Sequence, residues 1–188
     1  STRAVTTVAG KGYPTPTSGF DDGAATTVAS LNNPSGVCIL SNVAYLSDFL
    51  NHAIRKLDLA GATVTTLAGQ ATFGYVDATG TAAQFYNPGG VAITDDGLLF
   101  VADANNHKVR GLFVSDGVVE TLATSTGQVF GIAVDGLASA LYTAETAGAV
   151  KGFGLPTDAP TVAPTDAPTV APTEAPTVSP TEAPTVAP

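Results

Sequence analysis

The chain has 188 residues, a length that accommodates one domain with an appendage. Its sixteen Asp and Glu residues outnumber its seven Lys and Arg residues, and the basic residues are scattered along the sequence. Because a phosphate backbone is bound mainly by clustered Lys and Arg, this composition argues against a nucleic-acid partner. A single cysteine excludes an internal disulfide. No apolar run approaches the roughly twenty residues that a membrane-spanning helix needs.

The first recognisable element in the chain is a short β-type segment that recurs downstream. VTTVAG at residues 5–10 returns as VTTLAG at residues 64–69 and, more loosely, as VETLAT at residues 119–124. Runs rich in Val, Leu and Thr are typical of strands. We therefore predict a lone outer-type strand at residues 5–9.

Two further motifs follow in a fixed order. NPSGVCI at residues 33–39 returns as NPGGVAI at 87–93 and weakly as QVFGIAV at 128–134, while DFLNHAIRKL at 48–57 returns as DANNHKVRGL at 103–112 and faintly as ETAGAVKGF at 145–153. Each unit divides into short runs rich in β-branched and aromatic residues, separated by Gly, Asn and Asp turns. Four-stranded units repeated at about forty to fifty-five residues predict the blades of a β-propeller.

The predicted fold class is therefore all-β, a partial β-propeller followed by a disordered stalk. The propeller portion covers residues 1–155, with units at about 33–69, 87–124 and 128–153, and the stalk covers residues 156–188. A lone strand, two four-stranded blades and a three-stranded unit amount to three blades, whereas closed propellers usually have four to eight. We expect either that further blades precede this segment or that two chains pair to complete the ring.

The repeated motifs resemble NHL repeats, whose blades combine an Asn-Pro-x-Gly-Val-Ala start with a Val-Ala-Asp strand end and an Asn-His-Arg-Ile-Arg third strand. The match is close in the second unit, which also has the connector residues Gly74, Tyr75, Asp77, Ala83, Phe85 and Pro88, and looser in the first. The third unit lacks the Asp-x-x-Asn-His pattern, and Phe49-Leu50 places two apolar residues in a turn that is usually polar. The resemblance implies a structural signature formed by Asn33, Pro34, Gly36, Asp48, Asn51, His52, Arg55, Asn87, Pro88, Gly90, Asp103, Asn106, His107 and Arg110.

Asp48 with His52, and Asp103 with His107, have the residue types of a catalytic or metal-binding pair. Because the pairs recur at equivalent places, we interpret them as architectural: the Asp accepts hydrogen bonds from the turn, and the His and Arg open the next strand. Asp21-Asp22 and Asp95-Asp96 each precede Gly and are expected in solvated turns. Cys38 lies in an apolar setting and is expected to be an inert, buried thiol.

No catalytic, cofactor-binding or metal-ligating residue is predicted, and no cofactor is expected. The main enzymatic alternative is a lactonase-like or amidating-lyase-like propeller with a divalent metal in its central channel. Two histidines in the whole chain make that alternative weak.

Two groups of residues are expected to pack between neighbouring blades, because they alternate along the predicted strands. They are Val91, Ile93, Phe100 and Ala102 in the second unit and Val37, Ile39 and Tyr45 in the first. Gly36 and Gly90 are expected where neighbouring backbone approaches closely.

The C-terminal segment has an eight-residue period based on PTDAPTVA. Proline at every fourth position fixes φ and removes amide donors, so an extended polyproline II stalk is expected. Thr-Pro-rich tracts of this kind resemble mucin-like stalks. They imply O-glycosylation at Thr157, Thr161, Thr165, Thr169, Thr173, Thr177, Thr181 and Thr185.

These features together favour an extracellular or cell-surface binding scaffold that recognises protein or glycan ligands through propeller loops. An intracellular interaction scaffold with an unmodified stalk is the other alternative. The ligand itself is not predicted, because loops vary freely on a common frame.

Overall fold

The computed structural model describes residues 4–11, 18–135 and 140–154. The chain divides into two units, Ser1–Thr157 and Asp158–Pro188, and every described residue belongs to the first. The predicted stalk and its threonines lie outside the described residues. The all-β prediction is confirmed, because three antiparallel sheets hold the described strands and helix is limited to three short 3₁₀ turns.

The first sheet contains five strands and the second four. Their bounds are β1 Gly23–Ala24, β2 Pro34–Leu40, β3 Val43–Asp48, β4 Ala53–Asp58 and β5 Thr63–Gly69, then β6 Pro88–Ile93, β7 Leu98–Asp103, β8 Lys108–Phe113 and β9 Val119–Thr124. The third sheet consists of β10 Val129–Asp135, β11 Ala140–Glu145 and β12 Val150–Gly154. The 3₁₀ turns span Phe49–Asn51, Gly80–Ala82 and Ala104–Asn106.

Each sheet is a propeller blade. We call them blade 1 (β1–β5), blade 2 (β6–β9) and blade 3 (β10–β12). Within a blade the main strands follow one another antiparallel, and β6 contacts both β2 and β10. The first strands of successive blades therefore lie side by side, as the inner strands of a propeller do.

Long connectors precede blades 1 and 2 and cover the outer strand of the blade that follows. In blade 1 the connector forms β1, which pairs Gly23 with Val64 of β5. In blade 2 the matching contact is a single bridge between Thr79 and Val118. The sequence prediction recognised this connector only before blade 2.

Apolar side chains fill the spaces between the blades. Tyr45 and Ile54 of blade 1 pack with Val91, Leu99 and other residues of blade 2 in one cluster. Phe100 and Val109 of blade 2 pack with Val129 and Leu141 of blade 3 in another. Each blade thus has a forward face, which packs on the blade that follows, and a rear face, which packs on the blade before it.

Three expectations about strands and their packing are wrong. Residues 5–9 form no strand, and Val5 is 99% exposed. Val37 and Ile39 do not pack between blades, because they lie on the rear face of blade 1, where no described blade covers them. The forward-facing Tyr45, in contrast, is buried as predicted.

Candidate functional site

The polar signature residues form one network in each of blades 1 and 2. In blade 2, Asp103 ends β7 and accepts hydrogen bonds from the Tyr86 backbone N–H (2.7 Å), Asn106 Nδ2 (2.8 Å) and Arg110 Nη1 (2.8 Å). Arg110 and Asp103 are both fully buried. A buried charge is costly unless it is paired and hydrogen-bonded, and this network meets both conditions.

The second carboxylate of the network comes from the connector. Asp77 pairs with Arg110 Nη2 through Oδ1, and it also accepts bonds from the Thr121 N–H and hydroxyl. The Arg110 guanidinium lies 5.1 Å from the ring centroids of both Tyr75 and Phe85. The connector, the third strand and the outer strand of blade 2 are therefore held together at one arginine.

Blade 1 repeats this arrangement at Arg55. Its guanidinium pairs with Asp48 and with Asp22, both at 2.7 Å, and lies 4.9 Å from the Phe20 ring centroid. Asp22 also accepts bonds from the Thr66 N–H and hydroxyl, both at 3.0 Å. Burial raises the pKa of Asp22, but the bonds from Thr66 and Arg55 outweigh it and hold that pKa below its ordinary value.

The expectation that Asp22 belongs to a solvated turn holds only in part: its side chain is 47% exposed, but it lies outside a turn and its carboxylate binds the buried Arg55. Asp21 is exposed, and hydrogen bonds from Ser30 and Lys11 lower its pKa. Asp95 and Asp96 lie exposed in the turn before Gly97, where Asp96 accepts a bond from Thr94. The signal that could have identified Asp22 is its alignment with Asp77, together with that of Gly19 with Gly74.

Blade 3 has a reduced version of the network. Register places Glu145 and Lys151 at the positions of Asp103 and Arg110, and their side chains pair at 2.8 Å. The hydrogen bond from Lys151 is the main reason that the pKa of Glu145 lies below its ordinary value. The segment that leads into blade 3, residues 125–128, is too short to supply a second carboxylate of the Asp77 type.

The two histidines do not pair with the aspartates. His52 and His107 follow their 3₁₀ turns in the left-handed conformation, with φ of 54° and 56°. Asp48 and Asp103 instead bind Asn51 and Asn106, the last residues of those turns. The carboxylate-oriented imidazole of a catalytic site is thus not formed among the described residues.

The remaining signature residues lie where each blade begins. Asn33 and Asn87 adopt φ of 54° and 53° immediately before Pro34 and Pro88, the first residues of the inner strands. Gly36 and Gly90 lie where the next inner strand approaches: a Cβ on Gly36 would be 2.6 Å from the Gly89 oxygen, and one on Gly90 2.7 Å from the Phe130 oxygen.

A surface of different character lies where the second-to-third strand turns meet the connectors. We call it the loop face and define it by Phe49, Leu50, His52, Phe73, Tyr86 and Phe130. The Phe73 and Tyr86 rings stack with centroids 4.6 Å apart, and His52 lies edge-on to both at 5.7 Å. Phe49 and Phe130 stack at 6.3 Å. Leu50, Phe73 and Phe130 are exposed.

Side-chain amides run beside the loop face and link the three blades. Gln128 Nε2 donates to Asn105 Oδ1 (2.7 Å), Asn105 Nδ2 donates to Asn87 Oδ1 (2.9 Å), and Asn87 Nδ2 donates to the Phe49 carbonyl (3.1 Å). His52 is also fixed, because its Nδ1 accepts the Asn87 backbone N–H at 3.2 Å. Burial lowers the pKa of His52, so its imidazole is neutral near pH 7.

The described residues offer little for catalysis or metal binding. No group of three or more His, Cys, Asp or Glu side chains is placed to hold a metal ion in residues 4–11, 18–135 and 140–154. An open depression of about 680 Å³ is lined by Asp21 and Asp22, whose carboxylates already bond to Lys11, Ser30, Arg55 and Thr66. Burial raises the pKa of Cys38 to about 12, which leaves a weakly nucleophilic thiol. No helix in the described ranges has the length and apolar character that crossing a membrane requires.

Comparison with known proteins supports the repeat assignment. Residues 85–112 match the family model described as NHL repeat. Protein SUPPRESSOR OF QUENCHING 1, chloroplastic, of Arabidopsis thaliana is 42% identical over 100 residues, which are 53% of this chain and 9% of that protein. Human NHL repeat-containing protein 2 is 36% identical over 98 residues, 50% of this chain and 14% of that protein. The matched segment is thus a small part of both relatives.

Solved structures show the same fold at low sequence identity. A chain in the crystal structure of a nidogen/laminin complex aligns with a TM-score of 0.51 and 17% identity, covering 70% of this chain and 54% of that one. A gluconolactonase from Xanthomonas campestris aligns with a TM-score of 0.52 and 17% identity, covering 68% and 39%. At these identities the likeness concerns the β-propeller fold alone.

Proposed function

We propose that this chain is a binding scaffold that recognises its ligand through the loop face. The Asp–Arg networks recur in blades 1 and 2, and their charged groups bind one another. Their role is therefore structural, which leaves recognition to another surface. Among the described blades, in contrast, the loop face occurs once, and it joins residues from all three of them.

The single observation that carries the proposal is that the loop face departs from the chain's own repeat. Phe49 and Leu50 stand where blade 2 has Ala104 and Asn105. Phe130 stands where the other inner strands have Ser35 and Gly89, and Phe73 aligns with Ser18. At four positions where the equivalent residue elsewhere in this chain is small or polar, the loop face has an apolar side chain. Three of these four side chains are exposed to solvent. Exposed apolar clusters of this kind mark interaction sites.

The chemistry of the loop face favours an uncharged ligand. None of its six defining residues carries a charge near neutral pH, because burial keeps His52 neutral. Stacked rings offer flat apolar surface, and their mutual packing means that little side-chain freedom is lost on binding. We therefore favour an apolar protein segment as the ligand. The alternative is the apolar face of a glycan, with the neighbouring amides as its hydrogen-bonding partners.

The test replaces each loop-face residue by the one that this chain's own repeat has at that position. The variant combines Phe49→Ala, Leu50→Asn, Phe73→Ser and Phe130→Ser. The wild-type chain is expected to bind members of an uncharged apolar peptide library, and the variant is expected to lose that binding while its circular dichroism spectrum and cooperative unfolding persist. Binding to a glycan array instead would identify the alternative ligand.

A control variant changes an exposed apolar residue outside the loop face. Leu122→Ser is that control, since Leu122 lies on β9 and is exposed, and this variant is expected to bind the peptides as wild type does. Equal binding by wild type and the fourfold variant would refute the loop face as the recognition surface.

We also propose an extracellular or cell-surface location, supported by the Thr-Pro-rich repeat of residues 156–188. The repeat supplies regularly spaced acceptors for O-linked sugars, from Thr157 to Thr185. Mass spectrometry of the protein purified from its native source is expected to find hexose-containing modifications on these threonines. Unmodified threonines would instead support the intracellular scaffold.

A further inference from the structure

We propose that two copies of this chain join head to tail, with blade 3 of each copy packing against blade 1 of the other, to form a six-bladed ring. This inference concerns assembly and is independent of the ligand proposal. It rests on a comparison of equivalent residues in the three blades, in which the same positions are buried or exposed according to whether a neighbouring blade is present.

The forward face of blade 3 lacks the cover that the other forward faces have. Tyr142 occupies the position of Tyr45 and Phe100; those two side chains are 5% and 0% exposed, whereas Tyr142 is 43% exposed. Val150 occupies the position of Val109, which is 1% exposed, and is itself 76% exposed. These residues are of the type that packs between blades, but no described blade follows them.

The part of the rear face of blade 1 that β2 forms also lacks cover, whereas the outer part of that face, at Ala44, Leu57 and Val64, is buried with Ala25 and Ala29 of the connector. Val37 aligns with Val91; Val91 is 6% exposed because it packs on blade 1, whereas Val37 is 60% exposed. Ile39 is exposed on the same face. Within this chain the forward face of blade 1 packs on the rear face of blade 2, and the forward face of blade 2 packs on the rear face of blade 3. The chain therefore carries both halves of one blade-to-blade interface, at opposite ends of its described blades.

The edge of blade 3 is also incomplete. Among the residues that the structure describes, no outer strand follows β12 in blade 3, whereas β5 and β9 complete blades 1 and 2. Residues 5–10, VTTVAG, match the β5 sequence VTTLAG but have no described strand to pair with. An unpaired edge strand is a template for pairing with another chain. In the paired ring, residues 5–10 of one copy lie along β12 of the other.

The repeat fixes the register of that pairing. In blade 1, Lys56 of β4 lies opposite Thr65 of β5. Gly152 is equivalent to Lys56 and Thr6 to Thr65, so Thr6 of one copy lies opposite Gly152 of the other. The three described blades of each copy give six in the pair, within the range in which propellers close. Because each copy uses both faces once, the two contacts are identical and the assembly closes with twofold symmetry.

The first experiment measures the mass of the full chain in solution by sedimentation equilibrium over a range of concentrations. The expected mass is twice the 18.7 kDa of one chain. Val37→Lys and Tyr142→Glu alter residues that are exposed in a single copy, so each variant is expected to fold and to be monomeric. Leu59→Lys, an exposed apolar residue in the turn after β4, is the control and is expected to remain dimeric.

The second experiment tests the register with disulfides in a Cys38→Ser background. Thr6→Cys combined with Gly152→Cys is expected to give a covalent dimer under oxidising conditions, because residues directly opposite on paired strands come within bonding reach. A Cβ on Gly152 meets only an ordinary contact, 3.4 Å from Tyr142. Thr7→Cys with Gly152→Cys places the thiols on opposite faces of the sheet and is expected to give no cross-link.

A folded, cooperatively unfolding monomer at all concentrations would overturn the proposal, and further blades of a longer polypeptide would then be the occupants of both faces. A mass that grows beyond two copies would also overturn it, since an open chain of copies would have replaced the ring. Equal cross-linking of the two cysteine pairs would overturn the register.

Discussion

Arg110 and Asp103 form an ion pair with both side chains fully removed from solvent, and 2.8 Å separates Nη1 from Oδ2. The pair lies where the second and third strands of blade 2 meet the connector. It binds the connector, through the Tyr86 N–H and the Gln84 carbonyl, to two strands that already pair with each other. The same pair occurs in blade 1 between Arg55 and Asp48.

Replacing Arg110 by Met is expected to destabilise the protein by about 3–5 kcal/mol, because it leaves the Asp103 carboxylate buried without its counter-ion. Urea unfolding measures the loss. The control, Lys11→Met, breaks the exposed pair with Asp21 and is expected to leave the unfolding midpoint nearly unchanged. An Arg110→Met midpoint equal to that of wild type would show that the pair does not stabilise the blade.

Replacing Phe100 by Ala is expected to cost about 3–5 kcal/mol, because its fully buried ring fills the space between blades 2 and 3. The exposed ring of Phe73 provides a comparison, and Phe73→Ala is expected to cost much less. Thermal or urea unfolding of both variants gives the difference. Similar losses in the two variants would contradict the assigned packing of β7.

Replacing Gly36 by Ala is expected to destabilise the protein by about 1–3 kcal/mol, because the added Cβ meets backbone that cannot move away easily. Gly154→Ala is the matched control, since a Cβ at that position meets nothing within 4 Å. The free energy of unfolding of the two variants is compared under one set of conditions. If Gly154→Ala costs as much as Gly36→Ala, close approach of the inner strands is not the cause.

His52 is expected to make stability depend on pH. Burial lowers its folded-state pKa below the ordinary value of 6.5. The unfolded state therefore binds the proton more readily. The contribution of neutral His52 to the free energy of unfolding is fully present above pH 6.5, and it is lost as the pH falls through 6.5 toward the folded-state pKa. Protonation also removes the Nδ1 acceptor that His52 offers to Asn87.

The variant His52→Asn keeps a residue that tolerates the left-handed conformation but removes the titrating group. When the pH is lowered from 7.5 to 5.5, a range that includes the ordinary pKa of 6.5, the free energy of unfolding of this variant is expected to fall less than that of wild type. His107→Asn shows what the same substitution does in the other turn of this kind. Identical pH profiles for wild type and His52→Asn would exclude His52 as the source.

The repeat sequence alone determined the blade architecture. Two NP-x-G-V segments, two Asp-x-x-Asn-His turns and the VTT segments occur at matched spacings, and such repetition is compatible with few folds other than stacked four-stranded units. Gly97 and the Asn105-Asn106 turn interrupt runs with strong strand propensity, which predicts strands at residues 90–94, 98–103, 108–113 and 117–122. The bounds of β6–β9 lie within two residues of these.

Only the tertiary structure decided which of the predicted packing faces has a neighbouring blade to cover it, and which acids are paired. Val37 and Val91 lie in the closely similar segments NPSGVCI and NPGGVAI, but only Val91 packs on another blade and is buried, because burial depends on neighbours distant in the chain. Asp22 and Arg55 are thirty-three residues apart, and nothing local links them. The loop face likewise joins Phe49 to Phe130 across three blades, because side-chain proximity arises from packing and local pattern does not encode it.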